Sequence, residues 1–354
     1  MKQYPGITIK HDTYRVEIEA PELYVDNEAR FRSGHMTHAM AQFAPGQVIA
    51  FNSNCSATRD GGHWPYGWVE YRISNDNGAT WGEIQNFPYS WQMFISGECY
   101  ISVEKCLSCG DGCITALCLR NTNTNLWCCE PWGTPTVVRS TDGGKTWSEP
   151  VEYSPYCGRT YDAVVHDGVF YVLHHCSEHF EGSSPEHVYR LYRSTDNGIT
   201  FNEVSVIPIN PIGRGYGSLL VDNEGRMHAF AYNTHVECEM DHAISYDFGQ
   251  TWELVEPCYL ANRIRNPQTA LIDGICVCHG RAGDRGFIFY TSEDCMNWDE
   301  GAFLQTEVIC AFYSNNLNLT DEKGNFLLVQ YSTPYDGARV NVAHTRLRVR
   351  KEGL

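Results

Sequence analysis

The sequence contains no long apolar run and is poor in basic residues. No stretch of 18 consecutive apolar residues occurs, so no segment has the composition of a membrane-spanning helix. Lysine and arginine together number 26 against 43 aspartates and glutamates, which gives a formal net charge of −17. Proteins that bind nucleic acid over a broad surface need clustered lysine and arginine. We therefore expect neither a membrane nor a nucleic acid as partner, although a few converging arginines can still attract a small anion.

A targeting segment is also missing from the start of the sequence. Met1 leads directly into polar, strand-like sequence without an apolar stretch of signal length. The 16 cysteines would suggest disulfides in a secreted protein, but without a signal they are better interpreted as reduced thiols. These features predict a cytoplasmic protein.

Helical periodicity is almost missing from the chain. Short alternating segments rich in Val, Ile, Tyr, Phe and Thr are separated by Gly, Asp and Asn, a pattern typical of an all-β protein. Units of strand, tight turn and strand follow one another along the chain. Their turns lie at residues 45–46, 110–112, 167–168, 223–225, 273–274 and 322–324. Since no linker separates these units, we expect a single domain over residues 1–354.

A short pattern built around an Asp-x-Gly turn recurs between these units. Copies begin at Ser74, Ser140, Ser194, Ser245 and Ser292, and the last copy is degenerate. A recurrence of about 50 residues is typical of repeat architectures. In each turn the carboxylate can accept backbone N–H groups, the glycine can take a positive φ, and the closing Trp or Phe can pack between neighbouring units. We therefore interpret the aspartates of the pattern as structural. They are Asp76, Asp142, Asp196 and Asp247.

This pattern resembles the Asp box, or BNR repeat, of the sialidase (neuraminidase) superfamily, and the resemblance runs from about Ser74 to Trp298. It implies an all-β fold, a six-bladed β-propeller whose boxes lie between the outer strands of each blade. The sixth blade has no box. Its third strand is expected at residues 339–350, and residues 7–18 are free to supply its fourth strand. Pairing the N-terminal strand with the last blade would close the ring and leave no long exposed edge.

The innermost strand of each blade lines a central channel in such a propeller. These strands are expected at residues 34–43, 96–103, 158–165, 213–221, 263–270 and 312–319. They bring many polar side chains to one axis. Among them are His35, His38, Glu98, Arg159, Asp162, Tyr216 and Arg265. Because a purely structural channel needs no cluster of arginines, we expect a ligand site there.

The resemblance also implies a set of catalytic residues. Sialidases use an aspartate as general acid/base, a tyrosine nucleophile with a glutamate as its base, and three arginines that hold the substrate carboxylate. By this resemblance Asp60, in the loop after the first hairpin, would be the acid/base. Tyr313, within Phe312-Tyr313-Ser314-Asn315-Asn316-Leu317, would be the nucleophile. Arg285, just before the last box, would be the third arginine.

The sequence departs from the sialidase pattern on blades one and four. The stretch where the first arginine is expected contains His35 and His38, and blade four has no glutamate at the expected place. A neutral tyrosine is a poor nucleophile without a neighbouring base. Glu98 and Asp162 are the inner-strand carboxylates that could accept the proton of Tyr313.

Arginines are the expected ligands of a substrate carboxylate, because the planar guanidinium pairs with it through two hydrogen bonds. The candidates are Arg59, Arg265, Arg281 and Arg285. Further substrate-binding candidates are Arg159 and Tyr216 in the channel and Trp64 in an aromatic loop, where a sugar ring can stack. Cys106, Cys109 and Cys113 surround a hairpin turn and are interpreted as packed small residues, so neither a metal nor a cofactor is expected.

Three functions remain open from the sequence. The leading hypothesis is an exo-glycoside hydrolase acting on a carbohydrate substrate that bears a carboxylate. The second is a polysaccharide lyase, in which His35, His38, Tyr161 and Tyr216 would take part in abstracting a proton beside a uronate. The third is a glycan-binding propeller without catalytic activity.

Overall fold

The computed structural model describes residues 4–34, 36–57, 67–122, 132–176, 187–283, 285–306 and 312–351. These residues form six antiparallel sheets, which are the blades of a propeller. Blade one contains β4 (Arg32–Ser33), β5 (Met40–Ala44), β6 (Gln47–Ser56), β7 (Gly67–Ser74) and β8 (Gln85–Asn86). Blade two contains β9 (Cys99–Leu107), β10 (Ile114–Thr122), β11 (Thr136–Ser140) and β12 (Val151–Glu152). Blade three contains β13 (Gly158–His166), β14 (Val169–Cys176), β15 (Tyr189–Ser194) and β16 (Asn202–Ile207).

The second half of the ring repeats the same strand order. Blade four contains β17 (Arg214–Val221), β18 (Met227–Asn233), β19 (Glu239–Ser245) and β20 (Glu253–Tyr259). Blade five contains β21 (Arg265–Ile272), β22 (Ile275–Arg281), β23 (Phe287–Ser292) and β24 (Ala302–Gln305). Blade six contains β25 (Ser314–Asp321), β26 (Gly324–Asp336) and β27 (Arg339–Lys351), and the N-terminal strands β1 (Ile7–Lys10), β2 (Tyr14–Ile18) and β3 (Glu22–Val25) complete it.

The innermost strands contact one another around the axis. β5, β9, β13, β17, β21 and β25 each contact the next strand of this series, and β25 contacts β5. The predicted hairpin turns all connect an innermost strand to the second strand of its blade. The six-bladed all-β architecture expected from the repeats is therefore confirmed.

The Asp-box turns lie where predicted, between the third and fourth strands of blades one to five. In blade one, the Ser74 hydroxyl donates a hydrogen bond to Asp76 Oδ1 (2.7 Å), and the Thr80 backbone N–H donates to the same oxygen (2.8 Å). The boxes at Asp142, Asp196 and Asp247 repeat these bonds. These carboxylates are thus occupied in holding a turn at the outer edge of the ring.

The box tryptophans link neighbouring blades. Trp147, which closes the box of blade two, meets Phe87 edge to face with ring centroids 5.0 Å apart and lies 6.0 Å from Phe51 of blade one. An aromatic contact of this kind adds to the stabilisation that comes from burying the rings. The closing residue of a box therefore packs the next blade onto the preceding one.

The ring closes through the N-terminal segment. β2 pairs with β27, and Val16 lies opposite Val349. Tyr14, Val16 and Ile18 of β2 all lie in the hydrophobic core between blades five and six. The predicted single strand at residues 7–18 is in fact a hairpin, since β1 folds back and pairs with the outer edge of β2. Closure removes the edge of β27 that would otherwise be free for aggregation.

Two features depart from the sequence predictions. A helix, α1 (Pro88–Ser96), precedes blade two; Pro88 opens it and Gly97 ends it in the left-handed conformation (φ 74°). Among the described residues, no helix is long and apolar enough to cross a membrane. The second departure is a disulfide that joins Cys276 of β22 to Cys295 of the fifth box. This pair contradicts the expectation of reduced thiols.

Candidate functional site

The inner strands begin on one face of the ring and enclose a central cavity there. Its wall combines tyrosines, amides, an arginine and a glutamate from five of the blades. The lining residues are Met36, His38, Glu104, Arg159, Tyr161, Tyr216, Asn266, Gln268, Tyr313, Ser314 and Asn315. Six strands that converge on one axis bring together side chains that lie far apart in the sequence. This arrangement makes the cavity the candidate functional site.

Tyr313 lies at the entrance to β25, just before its first residue. Its backbone N–H donates to Ser332 Oγ (2.8 Å), which fixes the chain at this point. The Arg281 guanidinium lies 5.5 Å from the centre of the Tyr313 ring, and the Tyr216 ring meets it at 76° with centroids 6.0 Å apart. Tyr313 is 7% exposed. The predicted nucleophile is therefore held in the cavity beside a cation and a second phenol.

A chain of hydrogen bonds leads from a buried carboxylate towards Tyr313. Arg159 Nε donates to Glu104 Oε2 (2.7 Å), and Arg159 Nη1 donates to the Tyr216 hydroxyl (2.7 Å). The Ser102 hydroxyl donates to the other oxygen of Glu104 (2.6 Å). Tyr216 in turn hydrogen-bonds the side chain of Tyr313. Blades two, three, four and six each contribute a residue to this chain.

The electrostatics of this chain of hydrogen bonds keep Arg159 charged and Tyr216 neutral. Burial disfavours the charge of Arg159, but Glu104 and the surrounding tyrosines together outweigh this effect and raise the arginine pKa well above its ordinary value. Burial also raises the pKa of Tyr216 well above its ordinary value, although Arg159 acts in the opposite direction. Tyr216 thus retains its proton. Because its oxygen already accepts from Arg159, its hydrogen is available to the Tyr313 oxygen.

Two arginines stand side by side, and one of them, Arg281, lies next to Tyr313. Arg265 begins β21 and is directly paired with Arg281, the last residue of β22. Like charges at paired positions repel unless an anion lies between or beside them. Glu237 supplies one such anion, since its Oε1 accepts hydrogen bonds from Arg265. Burial raises the pKa of the neighbouring Tyr232 to about 12, with Arg281 opposing the rise. The pair is suited to binding a second anion, such as a carboxylate.

Asp162 has a different role from the one predicted. Its Oδ1 accepts from the Ala163 N–H (2.8 Å) and from Lys105 Nζ (2.6 Å). Its Oδ2 accepts from the Ser218 hydroxyl (2.6 Å) and the Leu219 N–H (2.8 Å). Four donors occupy the lone pairs of this buried carboxylate, so it has no site left to take a proton from Tyr313. The assignment of Asp162 as that base is therefore wrong.

Lys105 extends this network across the channel. Besides Asp162, its Nζ donates to Gln268 Oε1 (2.6 Å) and Asn315 Oδ1 (2.5 Å), which lie on blades five and six. These bonds tie four inner strands together beneath the cavity. The network forms the polar floor of the site.

Two other predicted residues lie outside the cavity. Glu98 is exposed in the turn between α1 and β9, because α1 occupies the position expected for the start of the inner strand. Among the described residues it does not line the cavity that contains Tyr313, so the structure does not support its prediction as the base. Arg285 is exposed in the turn before β23, whereas Arg281 at the end of β22 is buried next to Tyr313. Of these two arginine candidates, the structure places Arg281 in the site.

The remaining candidates divide into two groups. His38 is buried in the cavity wall, with its Nδ1 3.4 Å from Nε2 of Gln330. Arg159 and Tyr216 line the cavity. Four further candidates lie outside the described residues. They are His35, Arg59, Asp60 and Trp64.

Sequence reasoning missed two carboxylates of the site. Glu104 lies on β9, one residue beyond the inner strand predicted at residues 96–103. Glu237 follows the second strand of blade four, two residues after His235, in the blade where the sialidase pattern places a glutamate. The glutamate that the sialidase pattern places on blade four is the signal that could have identified Glu237.

A larger cavity of about 450 Å³ opens on the other side of the Lys105 network. Its walls are the ends of the inner strands, where the hairpin turns begin, and they combine apolar residues such as Leu220 with amides such as Asn316 and Asn318. Lys105 and His166 are the basic side chains among its described lining residues. We therefore place the chemistry at the cavity that contains Tyr313.

Comparison with known proteins agrees with this fold. Residues 138–149, which contain the second box, match the BNR/Asp-box repeat. A protein of unknown function from Dyadobacter fermentans superimposes with a TM-score of 0.72 at 17% identity, over 95% of this chain and 99% of that one. The Hadza microbial sialidase Hz136 gives a TM-score of 0.69 at 12% identity, over 94% and 69% of the two chains.

A third structure adds a ligand-bound example. The Trypanosoma rangeli sialidase in complex with 2,3-difluorosialic acid, a covalent intermediate, gives a TM-score of 0.56 at 14% identity, over 88% of this chain and 54% of that one. A search of curated proteins found no match to the sequence. The chain is thus an Asp-box β-propeller with the six-bladed fold that sialidases have.

Proposed function

We propose that this protein is a sialidase-like exo-glycoside hydrolase acting on a sugar that bears a carboxylate. The observation that carries the proposal is the grouping of Tyr313 with the paired Arg265 and Arg281 at the mouth of the channel. The arginines would hold the carboxylate of the sugar. Tyr313 would then attack the anomeric carbon, in the manner of glycosidases that use a tyrosine nucleophile.

The surrounding groups account for the reactivity that this step requires. Tyr216, held by Arg159, donates a hydrogen bond to the oxygen of Tyr313 and stabilises the phenolate as it forms. Glu237 takes the place of Asp162 and Glu98 as the candidate proton acceptor. It is a carboxylate of blade four, and within the described residues its Oε2 has no hydrogen-bond partner. Asp60 remains the predicted general acid/base.

Covalent trapping tests the nucleophile directly. The protein is incubated with 2,3-difluorosialic acid, and the site of labelling is read by mass spectrometry of its peptides. We expect labelling on Tyr313, and its loss in Tyr313→Phe. Tyr331→Phe is a matched control, because Tyr331 lies in the same blade but packs in the core against Phe287 (4.5 Å between ring centroids).

Hydrolysis and elimination are separated by their products. A hydrolase releases a saturated sugar from an aryl sialoside, whereas a lyase leaves an unsaturated uronate that absorbs in the ultraviolet. Absence of labelling on Tyr313, together with such absorbance from uronate polymers, would overturn the hydrolase in favour of the lyase. Binding of acidic sugars without turnover of any of them would favour the non-catalytic propeller.

A further inference from the structure

Asn266 has a strained backbone in the wall of the central cavity. Its φ is 53°, in the left-handed region, although glycine is the residue that adopts this conformation without steric cost. The strand register shifts at this point, between Arg265 and Gln268. Strained residues of this kind persist where the surroundings demand them, and they concentrate at ligand-binding sites.

The side chain of Asn266 is buried without being satisfied. The residue is 4% exposed, and within the described part of the chain neither Oδ1 nor Nδ2 has a hydrogen-bond partner. Asn315, in the same cavity wall, shows the ordinary case: its Oδ1 accepts from Lys105, and its Nδ2 donates to the Glu104 carbonyl (3.1 Å). A buried amide without partners is costly, and natural proteins rarely retain one unless something else satisfies it.

The neighbours of Asn266 indicate what would satisfy it. Arg265 precedes it in the chain, and Tyr313 and Arg159 share its cavity. A side-chain amide offers two donors and one acceptor. It therefore suits a neutral group that both donates and accepts, such as a hydroxyl or an acylamino group. A second carboxylate would leave the acceptor oxygen of Asn266 facing a negative charge.

We propose that Asn266 is a specificity residue that binds a hydroxyl or acylamino substituent of the sugar whose carboxylate Arg265 and Arg281 hold. This inference rests on the proposed function for the identity of the sugar. The strained backbone presents the amide to the ligand, and the ligand satisfies the amide that the protein leaves unpaired. Removal of the amide therefore weakens binding without weakening the fold.

Asn266→Gly separates recognition from stability. Glycine keeps the left-handed backbone and removes the amide, so we expect a melting temperature equal to or above that of the wild type. Asn197→Gly is the matched control, because Asn197 has a similar φ of 56° but lies in an Asp box, where its Nδ2 donates to Asp111 (2.7 Å). This control should bind ligand as the wild type does.

Binding is measured by calorimetry with 2-deoxy-2,3-didehydro-N-acetylneuraminic acid and with its deaminated analogue, which carries a hydroxyl in place of the acylamino group. We expect Asn266→Gly to weaken binding by about 10-fold or more, as for the loss of one or two hydrogen bonds. A loss confined to the acetylated probe identifies the acylamino group as the partner. Equal losses for both probes identify a hydroxyl.

Three outcomes would overturn the inference. Wild-type affinity in Asn266→Gly for both probes would refute it while leaving the proposed function intact. A fall in melting temperature well beyond that of Asn197→Gly would show that the amide is structural. If the wild-type protein binds neither probe, the proposed function fails and the inference fails with it.

Discussion

Replacing Tyr216 by Phe tests the hydrogen-bond chain that we assign to the activation of Tyr313. The substitution keeps the buried ring and removes only the hydroxyl. That hydroxyl accepts from Arg159 Nη1 (2.7 Å) and hydrogen-bonds Tyr313, whereas Arg159 keeps its other bond to Glu104. The change therefore isolates one link of the chain.

The structure sets the size of both expected effects. A hydrogen bond to a charged group contributes about 1.5–3 kcal/mol, and Arg159 would lose one such partner while it is 4% exposed. We expect the free energy of unfolding to fall by about this amount. If the Tyr313 phenolate loses a comparable stabilisation in the transition state, kcat falls about 10- to 100-fold, since about 1.4 kcal/mol corresponds to a factor of ten.

The assay combines denaturant unfolding with steady-state hydrolysis of an aryl sialoside over a range of pH. Loss of the donor should lower kcat, because the phenolate is then stabilised less as it forms. Tyr24→Phe is the control. It removes a buried hydroxyl that donates to the neutral carbonyl of Ala50 (3.0 Å), so it should cost about 0.5–1.5 kcal/mol of stability and leave kcat unchanged.

A double-mutant cycle with Tyr313→Phe supplies the refuting result. If the two phenols act as a unit, adding Tyr216→Phe to Tyr313→Phe causes no further loss of kcat. An unchanged kcat in Tyr216→Phe, or a full additional loss in the double variant, would refute the proposed link. A stability loss no larger than that of Tyr24→Phe would show that Arg159 does not depend on this hydroxyl.

Three further predictions follow from the fold and the site. Deleting residues 1–18 removes the buried Tyr14, Val16 and Ile18. Because each buried side chain contributes about 1.5–3 kcal/mol, the free energy of unfolding should fall by about 5–9 kcal/mol. An unchanged denaturant midpoint would contradict the closure of the ring by this segment. Hydrogen bonds from the Thr146 side chain and backbone lower the pKa of Asp142 to about 2. The contribution of Asp142 to stability is therefore full above its unfolded pKa near 4 and is lost as the pH falls towards 2. Thermal unfolding measured against pH should show a smaller loss of stability in acid for Asp142→Asn than for the wild type. Arg281→Lys keeps the charge but loses the planar fork, so KM for an acidic sugar should rise about 10-fold or more, whereas the exposed Arg285→Lys should leave KM unchanged.

The repeats made the fold predictable because each box is specified by nearby residues. The serine, aspartate, glycine and threonine of a box bond to one another within a few positions, so its turn can be identified from a short segment of sequence. The ring closure could also be predicted, since the sixth blade lacked a strand and residues 7–18 had no other partner. The division of those residues into β1 and β2 depended on sheet pairing that no local pattern specified.

The site could be predicted only in part. The inner strands of blades three, four and six were placed well enough to bring Arg159, Tyr216 and Tyr313 to the cavity. The prediction for blade two was wrong at Glu98 because α1 occupies the expected start of the strand, and Glu104 faces the cavity instead. The prediction for Asp162 placed the residue correctly but gave it the wrong role, because its four donors come from three blades.

The sequence alone determined the number of blades, the outer position of the box aspartates and the family of chemistry to consider, because these depend on spacing and on contacts between near neighbours. The tertiary structure decided which charges meet. Lys105 pairs with Asp162, Arg159 with Glu104 and Arg265 with Glu237, and each pair joins two different blades. The energy of a charge pair depends on distance and burial, and both are fixed only when the ring has closed. The carboxylates that remain able to react were therefore decided by the packing of the blades.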